Sequence, residues 1–185
     1  ALVTRGDAAI ILHVVLTQSF RIEEPPVPVT LVNAAGVNIN DYLLALRQVP
    51  EPVLAAFNAA GWTYRIDFDY MGGLSKKLNM SCIGATNYSQ KTIYLSEASA
   101  TLHEFGHFLD WMLGFPAEYE QLFRAEASAA PLRNYAKTDS REYFADCFAY
   151  WVKYAENANA ISLLQECAPM TYRYMEDLMR IANRL

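Results

Sequence analysis

Leu102-His103-Glu104-Phe105-Gly106-His107-Phe108-Leu109-Asp110 is the stretch around which this chain is read. Apolar residues recur at Ala98, Leu102, Phe105, Leu109 and Met112, close to helical period, so the stretch is predicted to be a helix. Residues four apart lie on one helical face, which lets His103 and His107 hold one ion between them. Glu104 stands beside them, placed to take a proton from a metal-bound water. That is the metalloprotease reading of H-E-x-x-H, and zinc suits two neutral imidazoles plus one carboxylate. Two of the chain's three histidines fall in this pattern with a glutamate between them, which speaks against chance spacing.

The rest of the composition narrows the class. A chain of 185 residues is expected to form one domain with a real core. Apolar content of 53% and aromatic content of 13% exclude a disordered chain. Lys and Arg number 15 against 20 Asp and Glu, a net charge of -5, which is no footprint for nucleic acid or an anionic membrane. No apolar run approaches the roughly 18 residues a bilayer span needs. Residues 8–16 are short, interrupted by His13, and only faintly like a signal segment. Cys82, Cys147 and Cys167 form no C-x-x-C pair, and their odd number gives no disulfide framework.

Taken in order, residues 1–20 carry no clear period, and Glu23-Glu24-Pro25-Pro26-Val27-Pro28 reads as a stiff linker. The expected organisation is a single domain over 1–185: an N-terminal segment and linker (1–26), a strand-rich lobe (27–95) and a helical lobe (96–185). Within it, 27–32 is predicted as a strand, and Asn38-Ile39-Asn40 as the cap of a helix carrying Tyr42, Leu43, Leu46 and Val49. A second helix follows Pro52, and 62–68 alternates as a half-buried strand. Residues 71–77 read as a flexible loop with a lysine tip. Residues 80–85 and 91–95 suggest a hairpin, with Ser96 capping the motif helix. The strand at 91–95 is either a docking edge for an extended peptide or an edge covered by a loop. Helices are expected at 117–127, 141–155 (capped by Asp139 or Ser140) and 170–185. Strand signal concentrated before residue 96 and helical signal after it argue for an α+β fold.

Two histidines leave a tetrahedral zinc short of one protein ligand and one open position. No histidine follows His107, so the third ligand is sought among downstream carboxylates. Glu142 opens the aromatic helix, and Asp146 lies four residues on along the same face. Glu142 as ligand and Asp146 as acceptor of a histidine N–H form a coherent pair. Asp139-Ser140-Arg141-Glu142 also resembles a capping box, which would give Glu142 a purely local role. Asp146, mid-helix among apolar residues, is either that second-layer partner or half of a structural ion pair. Asp110 has two readings, a partner behind the metal ligands or an exposed charge near the helix end.

These residues carry a resemblance. The motif stretch, followed by Tyr135 and by Glu142-Tyr143-Phe144-Ala145-Asp146-Cys147-Phe148-Ala149-Tyr150, resembles the anthrax lethal factor catalytic-domain family of zinc metallopeptidases, and within it the small secreted Pro-Pro endopeptidases of Gram-positive bacteria. Tyr135 stands seven residues before Glu142, the interval that family uses for its active-site tyrosine, and Glu166-Cys167-Ala168-Pro169-Met170-Thr171-Tyr172 is similar to its Cys-Pro-x-Thr-Tyr run, with Ala168 inserted. The resemblance implies a zincin-like α+β fold with one zinc held by His103, His107 and Glu142. It further implies Glu104 as base, Tyr135 as oxyanion stabiliser, a peptide or protein substrate cut at proline-flanked bonds, and a secreted or cell-surface monomer. Residues 71–77 and 96–101 depart from those endopeptidases in sequence and in length respectively. The rival expectations are a toxin-like effector that cuts a host protein and a peptide-binding module without catalysis.

Overall fold

A computed structural model describes residues 29–182; the N-terminal segment and the proline-rich linker lie outside the described residues. A small sheet and a set of helices pack on the two sides of one central helix, an α+β arrangement with the sheet in the N-terminal half. The strands are β1 (Thr30–Asn33), β2 (Thr63–Ile66), β3 (Gly84–Asn87) and β4 (Thr92–Leu95), in the spatial order β1-β2-β4-β3. β1 pairs parallel with β2 and β2 with β4, while β3 returns antiparallel on β4, with Gly84 opposite Leu95 and Asn87 opposite Thr92. The parallel pairs need helical crossovers. These are α1 (Asn40–Leu46) with α2 (Glu51–Ala59) between β1 and β2, and α3 (Phe68–Leu78) between β2 and β3.

β4 is therefore an inner strand, buried along its whole length. The sheet edge expected at 91–95, as a docking edge or one covered by a loop, falls instead to β3, because the hairpin folds outward and leaves β3 last in the sheet. The loop expected at 71–77 is also corrected. It lies within α3, where the Asp67 carboxylate caps the helix by accepting the Tyr70 N–H (2.9 Å) and Asn79 ends it in the left-handed conformation. Met71, Leu74 and Leu78 recur there at helical spacing. Ser96 does not cap the motif helix. Its N–H extends the hairpin by donating to Ile83 O (2.9 Å), and a short 3-10 turn (Ala98–Ala100) leads into α4 (Thr101–Met112).

α4 carries the motif and is buried from Thr101 through Asp110. One side packs on the sheet layer through Phe105 and Phe108, whose rings meet Phe57 at 4.9 and 5.0 Å and, for Phe108, Trp62 at 5.2 Å. The other side meets α6 (Ser140–Tyr154), which follows α5 (Ala117–Glu126) and a 3-10 turn (Asn134–Lys137). α7 (Ala158–Cys167), which the sequence reading did not separate, starts where the Asn157 side chain accepts the Ala160 N–H (3.1 Å). α8 (Pro169–Ala182) then closes the core against Tyr119, Tyr143 and Phe144. Its first turn is tied down by buried Glu126, whose carboxylate accepts the N–H groups of Met170 (2.9 Å) and Thr171 (2.8 Å). A carboxylate at a helix N-terminus satisfies otherwise orphaned donors and suits the dipole.

Candidate metal centre

The position of α6 on α4 is set by Gly106. A Cβ at residue 106 would lie 2.6 Å from Ala145 Cα and 2.8 Å from Ala145 O, so only glycine admits this helix crossing. The two backbones meet between His103 and His107, and this contact brings the next turns of α6 over the imidazoles. His103 Nε2 lies 3.0 Å from Glu142 Oε2, His107 Nε2 lies 3.5 Å from the same oxygen, and the two Nε2 atoms are 3.1 Å apart. Glu142 Oε2 is buried and accepts no hydrogen bond of proper geometry. Zinc bonds of about 2.0–2.1 Å in a tetrahedron give ligand–ligand edges of about 3.4 Å. The triangle of donor atoms matches that size, so His103, His107 and Glu142 fit one metal ion.

The carboxylates behind this triangle set its charge. Burial alone would lower the His103 imidazole, but Asp146 and Glu142 more than reverse it and push it up to about 9. Burial likewise opposes the charge on Glu142, yet His103 and His107 hold its carboxyl well below the usual range. Asp139 caps α6, its side chain accepting the N–H groups of Arg141 (2.9 Å) and Glu142 (3.0 Å). The Glu142 carboxylate is thereby free to point at the histidines instead of returning to the cap.

Asp146 Oδ1 accepts from His103 Nδ1 at 2.6 Å. The same carboxylate is held by Arg133, Nε to Oδ2 at 2.6 Å and Nη2 to Oδ1 at 2.7 Å. Guanidinium has no acceptor, so although Arg133 Nη2 lies 3.0 Å from His103 Nδ1, the imidazole proton goes to Asp146. In the neutral imidazole this fixes the proton on Nδ1 and leaves Nε2 available for a metal. Arg133 was not found by sequence reasoning. It sits in a stretch that reads as loop, and nothing local signals its partner thirteen residues on. His107 Nδ1 is different: it is buried and has no hydrogen-bond partner among the described residues. Asp110, one turn further along α4, is buried rather than an exposed charge, and burial pushes its carboxyl up to about 7 against the charges of His107 and Arg141.

Glu104 faces the sheet edge. Thr86 Oγ1 on β3 donates to Glu104 Oε2 at 2.7 Å, a second partner the sequence did not reveal. The fit is tight at Gly84, where a Cβ would fall 2.5 Å from Glu104 Oε1. Tyr135, 41% exposed, donates its hydroxyl to Glu142 Oε1 at 3.3 Å, and burial together with the Glu142 charge pushes the phenol up to about 12. Glu104, Thr86, Tyr135, Arg133, Asp146 and the three candidate ligands line one cleft of about 860 Å³, walled by α3, β3 and the length of α6. Of the aromatic residues nearby, Tyr88 lines the cleft, Phe105 is core and Trp111 packs on Trp62.

Comparison with known proteins agrees with this architecture. The structure of a Pro-Pro endopeptidase from Paenibacillus alvei superposes with a TM-score of 0.61 at 18% sequence identity, covering 91% of this chain and 99% of the other. No curated protein matches in sequence. The family model described as anthrax toxin lethal factor, N- and C-terminal domain, matches residues 64–178, a span that starts within β2 and takes in the cleft and every residue of the histidine–glutamate triangle. The chain belongs to the anthrax toxin lethal factor family.

Proposed function

We propose that this chain is a single-domain zinc endopeptidase. The observation that carries the reading is the convergence of His103 Nε2, His107 Nε2 and Glu142 Oε2 next to a carboxylate, Glu104, that holds no metal-ligand position of its own. A peptide-binding module would have no use for a buried base at that spot. Zinc, when bound, supplies a Lewis acid that polarises the scissile carbonyl and lowers the pKa of water.

The chain's own residues do the rest. An extended substrate pairs its main chain with the open edge of β3, which runs past Glu104 at Gly84. The Glu104 carboxylate takes a proton from the attacking water and returns it to the leaving amine. Thr86 holds Oε2, fixing the rotamer and leaving Oε1 for proton transfer. The Tyr135 hydroxyl turns from Glu142 to the oxygen that becomes negative, a donor aimed where charge develops. Asp146 keeps the His103 proton on Nδ1, and Arg133 compensates the buried carboxylate. Proline beside the scissile bond is the proposed preference, supported by the likeness to the Pro-Pro endopeptidase fold and by the low ordering cost of a φ-restricted guest.

Metal analysis together with a peptide-library digest read by mass spectrometry tests this. One zinc per chain and cuts concentrated at proline-flanked bonds are expected. Absence of stoichiometric metal would sink the assignment, whereas cuts at other residues would remove only the proline preference.

A further inference from the structure

Two of the cations that line the cleft pair with none of its own carboxylates. Glu104, Asp139, Glu142 and Asp146 line it, and each has a partner already: Thr86, the α6 N-terminus, the two histidines and Arg133 respectively. Arg133 is thereby committed as well. Two cationic side chains of the lining remain, Arg141 and Lys153. Neither forms an ion pair among the described residues. Each lies on an aromatic ring instead, Arg141 4.3 Å from the centroid of Phe115 and Lys153 5.4 Å from that of Tyr154. Such a platform holds a cation in place while its hydrogen-bonding edge stays open. Asp110 senses the Arg141 charge without pairing with it.

Their spacing along α6 suits a bound chain. Twelve residues separate them on the helix, a rise of about 18 Å, with Glu142 one residue after Arg141 and eleven before Lys153. An extended peptide covers that length in about five or six residues. We propose that the cleft selects acidic peptides, Asp or Glu side chains on the two sides of the scissile bond being taken up by Arg141 and Lys153. This rests on the peptidase reading and gives its substrate class. The net charge of -5 does not oppose it, because screening confines each charge to about 8 Å at physiological salt.

The test uses one proline-containing peptide made with Glu, Gln or Lys at the flanking positions. Binding is read by anisotropy on the metal-loaded Glu104→Gln protein, and cleavage on the parent. The Glu peptide is expected to bind and turn over best, each Glu-to-Gln change costing roughly 2–5-fold, an effect that shrinks as salt rises. Lys153→Glu is expected to move the Lys peptide ahead at one flank with metal content and melting temperature unchanged. Equal binding of the three peptides, or an unchanged ranking in Lys153→Glu, would overturn the proposal. If no peptide is cleaved at all, the peptidase reading falls, and the anisotropy ranking still decides whether the cleft takes acidic chains.

Discussion

His103 and His107 stand one turn apart on the same helix and present the same atom, Nε2, to the same point. Behind that point they differ. His103 has its other nitrogen gripped by Asp146, which is itself held on both oxygens by Arg133. His107 has a buried Nδ1 with no partner among the described residues and relies on packing for its orientation. The asymmetry follows from where α6 crosses. The helix reaches over α4 at Gly106, so its carboxylate at 146 falls behind the first histidine only. Pre-organisation in this centre is thus a property of the α4–α6 contact rather than of the H-E-x-x-H segment.

The largest change is expected from neither histidine. Glu104→Gln should lower kcat by about 10²–10⁴-fold with zinc still stoichiometric, if the proposed role of base and not ligand holds. Loss of metal in that variant would move Glu104 into the ligand set. Tyr135→Phe keeps the ring and removes the hydroxyl. A fall in kcat of about 10²–10³-fold with little change in KM is expected, and a change confined to KM would make it a packing residue.

The asymmetry itself is tested by pairing Asp146→Asn with Asp110→Asn. The first should cost about 10–100-fold in zinc affinity, measured by chelator competition, and the second less. Equal losses would mean that Asp110 supports His107 as Asp146 supports His103. Gly106→Ala should destabilise the fold by about 1–3 kcal/mol in denaturant titration, because the new methyl meets backbone that cannot move aside.

The gentlest test is pH, on metal-free protein. The folded His103 sits at about 9 against an ordinary 6.5, so it is raised. Its contribution to stability is fully present below 6.5 and is lost as pH rises through 9. A denaturation midpoint that fell across that window in the parent but not in His103→Gln would assign the loss to this group.

What was legible in the sequence was what is local. The histidine pair, Glu104, and Glu142 with Asp146 all follow from helical spacing within single segments, as do the cap at Asp139 and the order of most elements. The helix at 68–78 was hidden because Gly72, Gly73 and Ser75 carry loop composition, while a single residue, Met71, is buried to dock it. Thr86 and Arg133 were hidden for a different reason. Each reaches its partner across the fold, 18 residues from Glu104 and 13 from Asp146, and no periodicity encodes such a meeting. The inner position of β4 was equally invisible, since strand order depends on the crossovers.

The contact of Gly106 with Ala145 also makes the centre discrete. A slip of α6 by one residue moves it only about 1.5 Å but turns its side chains by about 100°. Tyr143 would then stand where Glu142 does and Cys147 where Asp146 does, and neither can replace the carboxylate it displaces. Between the correct register and the next there is no half-formed triangle with partial function. A chain still settling its helices therefore has no partly built donor triangle: the three atoms come together in a single step, when the glycine finds its neighbour.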